Sequence, residues 1–135
     1  MAENFVVKEQ LTEAMIDAGA ELTQKLLDMG IPITASLWFF DLEICEWRLL
    51  LSSPDVPNRG PLTVYEQIQR ALDELGPKAA AAPFEAISLL SPSAELVRNL
   101  KLKFTTTGPG ISRIRFYKNV AYNQFVHDAL IYRVA

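Results

Sequence analysis

Cysteine and histidine occur once each, as Cys45 and His127. A lone cysteine excludes an internal disulfide and favours a cytoplasmic address. One Cys and one His cannot build a Cys/His zinc site within a single chain. Long apolar runs are missing too. The longest, residues 37–40 and 49–51, fall far short of a bilayer span, so no membrane partner is expected. Glu3, Asn4, Lys8 and Glu9 interrupt any early apolar stretch of the signal-peptide kind.

The familiar chemical signatures are also lacking. The segment 105–110 contains glycine but no following Lys-Ser/Thr pair, so there is no Walker loop. No Gly-x-Gly-x-x-Gly follows a strand pattern, and no Gly-x-Ser-x-Gly elbow occurs. No cofactor is expected, and no catalytic signature marks the chain as an enzyme.

What is present is globular. The chain has 135 residues, 50% hydrophobic and 21% charged, the size and composition of one domain spanning 1–135. Such a length buries roughly two thirds of the unfolded surface, enough to fold without staples. Net charge is −3, but its distribution is uneven. Residues 1–76 hold five Lys/Arg against thirteen Asp/Glu, a net of −8; residues 77–135 hold eight against three, a net of +5. Either the basic half faces a polyanion or the two halves neutralise each other.

Periodicity predicts a first helix over 7–29, with Leu11, Met15, Ala18, Leu22, Leu26 and Met29 on one stripe. Gly30 and Pro32 end it. A hairpin follows: strand 33–41, a polar-leaning turn 42–46, and strand 47–53. Alternation places Ile33, Ala35, Leu37 and Phe39 on one face, and Trp38 and Phe40 on the other. Apolar residues on both faces require cover on both sides, by helices or by a partner.

Residues 54–60 read as a loop, and Pro61 as the first residue of a second helix with Leu62, Tyr65, Ile68, Leu72 and Leu75 inward. Residues 78–83 read as a connector and 84–90 as a short strand. A third helix starts at Ser91–Pro92 and reaches about Leu100. Strands 111–117 and 125–134, joined by 118–124, close the chain, with Ile114 and Phe116 turned to the core. The order α-β-β-α-β-α-β-β predicts the α+β class, a largely antiparallel or mixed sheet with helices packed on it.

Five groups of residues bear on function. Trp38, Phe40 and Trp47 are interface anchors if the hairpin is exposed, and ordinary core if it is not. Arg113 and Arg115 share a strand face with Tyr117, and Lys118 adjoins; two guanidiniums and a ring suit phosphates and a base. Arg98, Lys101, Lys103 and Arg133 extend this basic region. The same residues also suit a solvated sheet face, and the negative net charge counts against nucleic acid. Asp41, Glu43 and Glu46 form a weak Mg²⁺ or Ca²⁺ candidate; a solvated turn explains them equally. Cys45 sits between Glu43 and Glu46, whose charge disfavours a thiolate, so it reads as a small packed hydrophobe. His127 and Asp128 are adjacent in a strand and point to opposite faces, which denies them a paired role.

The reading preferred from sequence is a non-catalytic domain that binds a protein partner or itself. Nucleic-acid binding through the basic strand face comes second, and a carboxylate-dependent metal enzyme third.

Overall fold

The computed structural model describes residues 10–106, 108, 110–121 and 124–135, and their side chains except at 116–121 and 124–127. Among the described residues, four α-helices pack on one five-stranded mixed sheet: α1 (Glu13–Asp28), β1 (Ala35–Asp41), β2 (Glu46–Ser52), α2 (Asp55–Arg59), α3 (Pro61–Leu75), β3 (Ile87–Leu90), α4 (Glu95–Lys103), β4 (Ile114–Ala121) and β5 (Gln124–Val134). The α+β class is therefore correct. Strand order is β3-β2-β1-β5-β4. All neighbours are antiparallel except β2 and β3, which run parallel from Leu49↔Ile87 to Ser52↔Leu90.

Helix α1 starts later than its apolar stripe suggests. Residues 10–12 are not helical, and 7–9 lie outside the described residues. Thr12 is the N-cap, its side chain accepting from the Met15 N–H at 3.1 Å, which fixes the start at Glu13. One face of the sheet meets α1 and α3. Leu22, Leu26, Trp38, Phe40, Trp47, Leu49, Leu51, Val64, Ile68, Leu130 and Tyr132 make that core. The opposite face carries Leu37, Leu50, Ala129 and Ile131 and is covered by α4 through Leu100. Both sides of the sheet are thus covered by the chain's own helices.

Alternation along β1 is as expected from Leu37 to Phe40. Ile33 departs from it: the strand begins only at Ala35, and Ile33 packs with the α1 side. Leu62 is also displaced. It is 72% exposed, because the inner face of α3 centres on Val64, Ile68 and Ala71. The 54–60 loop contains the short helix α2, whose entry is shaped by Ser53 Oγ accepting from the Asp55 N–H at 3.1 Å. Instead of a plain connector, a 3-10 turn spans Gly76–Ala79 and brings Ala79 inside. Strand β3 is shorter than 84–90, since Phe84–Ala86 forms another 3-10 turn.

Helix α4 begins at Glu95, not at Pro92. Ser91 spends its side chain on a local turn, accepting from the Ser93 N–H at 3.2 Å. The closing hairpin is longer than predicted at its tip, with β4 reaching Ala121 opposite Gln124. Ile114 is not in the core but 37% exposed, as β4 is the outermost strand; the Phe116 side chain lies outside the described residues.

The union of α1 with the sheet is unusually polar for a core. Trp38 Nε1 donates to the Met15 carbonyl at 3.0 Å, and the Tyr132 hydroxyl donates to that of Ile16. Thr23 Oγ1 donates to the Gly19 carbonyl at 2.7 Å and lies 2.7 Å from Ser36 Oγ. A hydroxyl has one proton, so Ser36 is the donor in the Thr23–Ser36 bond. All these groups meet a partner, as most buried polar atoms do.

Candidate interaction surface

The β1–β2 turn is built by its own polar groups. Asp41 Oδ1 accepts from the Glu43 N–H at 2.9 Å, and Asp41 pairs with Glu46 to close a four-residue loop. Cys45 takes φ 52°, left-handed backbone that a non-glycine residue enters at a cost. Its thiol donates to the Leu42 carbonyl at 3.5 Å. Cys45 is exposed, so it is not the packed hydrophobe expected. The turn holds Leu42 and Ile44 outward, 48% and 50% exposed, between Asp41, Glu43 and Glu46. Turn chemistry gives no reason for two large aliphatic residues there.

The three acids do not converge. Among the described residues no group of three or more His, Cys, Asp or Glu side chains is placed to hold a metal ion. The carboxylate of Asp41 is engaged in shaping the loop.

Trp38, Phe40 and Trp47 are core, with exposures of 1%, 6% and 6%. They are not surface anchors, because α1 and α3 close over that face. Phe40 and Trp47 meet edge to face at 5.4 Å. The outer side of Trp47 is covered by Arg115, whose guanidinium lies 5.6 Å above the indole ring.

Arg115 grips Asp128 with two bonds of 2.7 Å each, from Nε and Nη2. Arg113 reaches Asp17 on α1 at 3.1 Å. Arg113 and Arg115 are therefore each matched to a carboxylate of this chain, Arg113 to one in the acidic half and Arg115 to one in its own half. The side chains of Tyr117, Lys118 and His127 lie outside the described residues. Arg133 is also committed: it donates to the carbonyls of Ile33, Gly108 and Gly110, pinning the loop before β4. Arg48 donates to the carbonyls of Glu85 and Ile87 and to Ser88 Oγ, and so holds the short parallel strand β3.

Of the other described bases in the basic half, Lys78 stands on the 76–79 turn and three cluster on α4. Arg98, Lys101 and Lys103 are exposed, and among the described residues none forms a salt bridge. Val97 and Leu100 face the sheet. Helical spacing then puts Leu102 on the outer face with Arg98, flanked by Lys101 and Lys103. Leu102 is 65% exposed. An open depression between α1 and the loop before β4, lined by Ala20, Glu21, Gln24, Ile111 and Arg113, offers no convergent reactive groups.

Sequence reasoning passed over Leu42, Ile44 and Leu102. The signal was available for the first two: aliphatic residues alternating with acids inside a segment that is otherwise a turn. No protein-family model, no curated protein and no solved structure matches this chain. Among the described residues, no helix is long and apolar enough to cross a membrane.

Proposed function

We propose that this chain is a non-catalytic protein-binding domain that makes its contact through the β1–β2 turn. The carrying observation is the exposure of Leu42 and Ile44 between acidic neighbours. Two large aliphatic side chains in water are unfavourable unless a partner covers them. The acids around them keep the patch soluble and set its charge preference. The aromatic residues of the hairpin are inside, so they brace this turn and do not contact the partner themselves. An exposed lone thiol suits a reducing compartment, and on that ground we place the domain in the cytoplasm. The matched carboxylates of Arg113 and Arg115 give nucleic acid no support.

The test is a capture experiment with tagged protein from cells that produce it, comparing wild type with Leu42→Ser/Ile44→Ser. A stoichiometric protein, or untagged copies of this chain, retained by wild type and lost by the variant supports the reading. Equal retention by both, or a catch that disappears with nuclease treatment, overturns it.

A further inference from the structure

Resting on the reading that the β1–β2 turn is a protein contact, we infer that its occupant is the outer face of α4 on a second copy of this chain. The two patches are complementary in kind. The turn presents Leu42 and Ile44 within the acids Asp41, Glu43 and Glu46. The outer face of α4 presents Leu102 within the bases Arg98, Lys101 and Lys103. Apolar groups meet at the centre and opposite charges meet around them, the usual anatomy of a specific contact. Glu95, the one acid on that helix, lies on the same stripe as Arg98 and Leu102, about 10 Å of helix rise before Leu102, at the edge of the basic patch.

The two patches of one copy cannot meet each other. The turn leaves the sheet at the Asp41↔Glu46 pair. Helix α4 is tied to the opposite end. It is entered from Leu90, which pairs with Ser52 at the far end of β2. Just after it, the Thr106 N–H donates to the Val134 carbonyl at 2.8 Å, beside Ala35 at the start of β1. The contact is therefore between copies. Two copies that exchange both contacts close as a two-fold dimer, whereas a single contact leaves one of each surface open and adds further copies.

This also bears on the charge asymmetry. Arg113–Asp17 joins the basic half to the acidic half inside one copy. Among the described residues Arg98, Lys101 and Lys103 form no salt bridge, and in the assembly a neighbour's turn brings them acids. The patches are small, so the association is weak, and exposed charges make it sensitive to salt.

Sedimentation velocity of the whole chain tests this over a concentration series, at low salt and at about 0.5 M salt, where the Debye length is only a few Å. Four samples are compared: wild type, Glu43→Lys/Glu46→Lys, Lys101→Glu/Lys103→Glu, and an equal mixture of the two variants. Wild type is expected to associate at low salt, as a dimer or larger, and to revert to monomer at high salt. Each charge-reversed variant is expected to remain monomeric, and the mixture to associate again, since each basic patch then finds an acidic one. Leu102→Ser, which leaves every charge in place, should also be monomeric. All substitutions are at exposed positions, and thermal melting confirms that each variant folds.

Monomeric wild type under every condition overturns the inference. So does a dimer that both reversals leave intact, or a monomer whose α4 shifts instead with a DNA or RNA oligonucleotide. None of these results decides the protein-binding reading, which stands or falls on Leu42→Ser/Ile44→Ser capture.

Discussion

A β-carbon placed on Gly19 would lie 2.5 Å from the phenolic oxygen of Tyr132 and 2.6 Å from Trp38 Nε1. Gly19 is in the middle of α1, where glycine is otherwise unfavourable. Its presence lets the helix backbone descend onto the sheet far enough for Tyr132 and Trp38 to bond the carbonyls of Ile16 and Met15. Gly19→Ala therefore forces α1 outward despite alanine's better helix propensity. The expected loss is about 2–3 kcal/mol, overpacking and weakened hydrogen bonds outweighing propensity. Urea unfolding of the variant against wild type measures it, and a stabilised variant would refute the close approach.

Tyr132 carries a second prediction. Burial pushes its phenol pKa well above the ordinary value of 10.0, with smaller opposing help from Trp38. The folded chain thus keeps the proton that the unfolded chain gives up. Stability is full below about pH 10 and falls as the pH rises further. Tyr132→Phe should lose about 1 kcal/mol at neutral pH, the worth of one hydrogen bond, and should show a shallower alkaline decline. Denaturant midpoints at pH 8 and pH 11 for both proteins make the comparison.

The Lys25–Glu74 pair joins α1 to α3 at 2.8 Å. The Lys25 ammonium beside it holds the Glu74 carboxyl below its ordinary 4.5. A depressed carboxyl contributes stability above its unfolded pKa and loses it as pH falls through the folded one. Glu74→Gln should therefore have a slightly lower urea midpoint than wild type at pH 7, a difference that shrinks as the pH falls below 4.5. Glu74 is about half exposed and Lys25 partly exposed, so the difference is small and shrinks in salt.

Cys45 offers a test by sign. Its φ of 52° suits glycine and penalises β-branched residues. Cys45→Gly should stabilise the chain by about 0.5 kcal/mol, relieved strain exceeding the added freedom of the unfolded state. Cys45→Val should destabilise it by about 1 kcal/mol or more. Both are read from thermal unfolding. Because the thiol is exposed, it should also react with a thiol reagent in the native protein without prior unfolding.

Local pattern determined most of the element order. The stripe of α1, the alternation of Leu37 to Phe40 and the Gly30–Pro32 stop are properties of neighbouring residues, and the chain obeys them wherever a core face follows that period. Element ends were less legible. Thr12 and Ser91 both look like helix caps, yet only Thr12 caps α1, while Ser91 bonds within a local turn. The choice between those bonds depends on where the chain must go next.

The functional reading divides along the same line. Composition alone showed the acidic and basic halves. Only the tertiary structure decided which charges are used up, because the partners are far apart in sequence: Arg113 and Asp17 are separated by 96 positions. The same holds for the aromatic hairpin. Trp38, Phe40 and Trp47 would look alike in a buried or an exposed strand, and it is the packing of α1 and α3 over them that makes them core. Conversely, Leu42, Ile44 and Leu102 stay outside because, among the described residues, no element reaches the turn or the outer side of α4. Burial is a relation between distant segments, and pattern along the chain records only which residues would accept it.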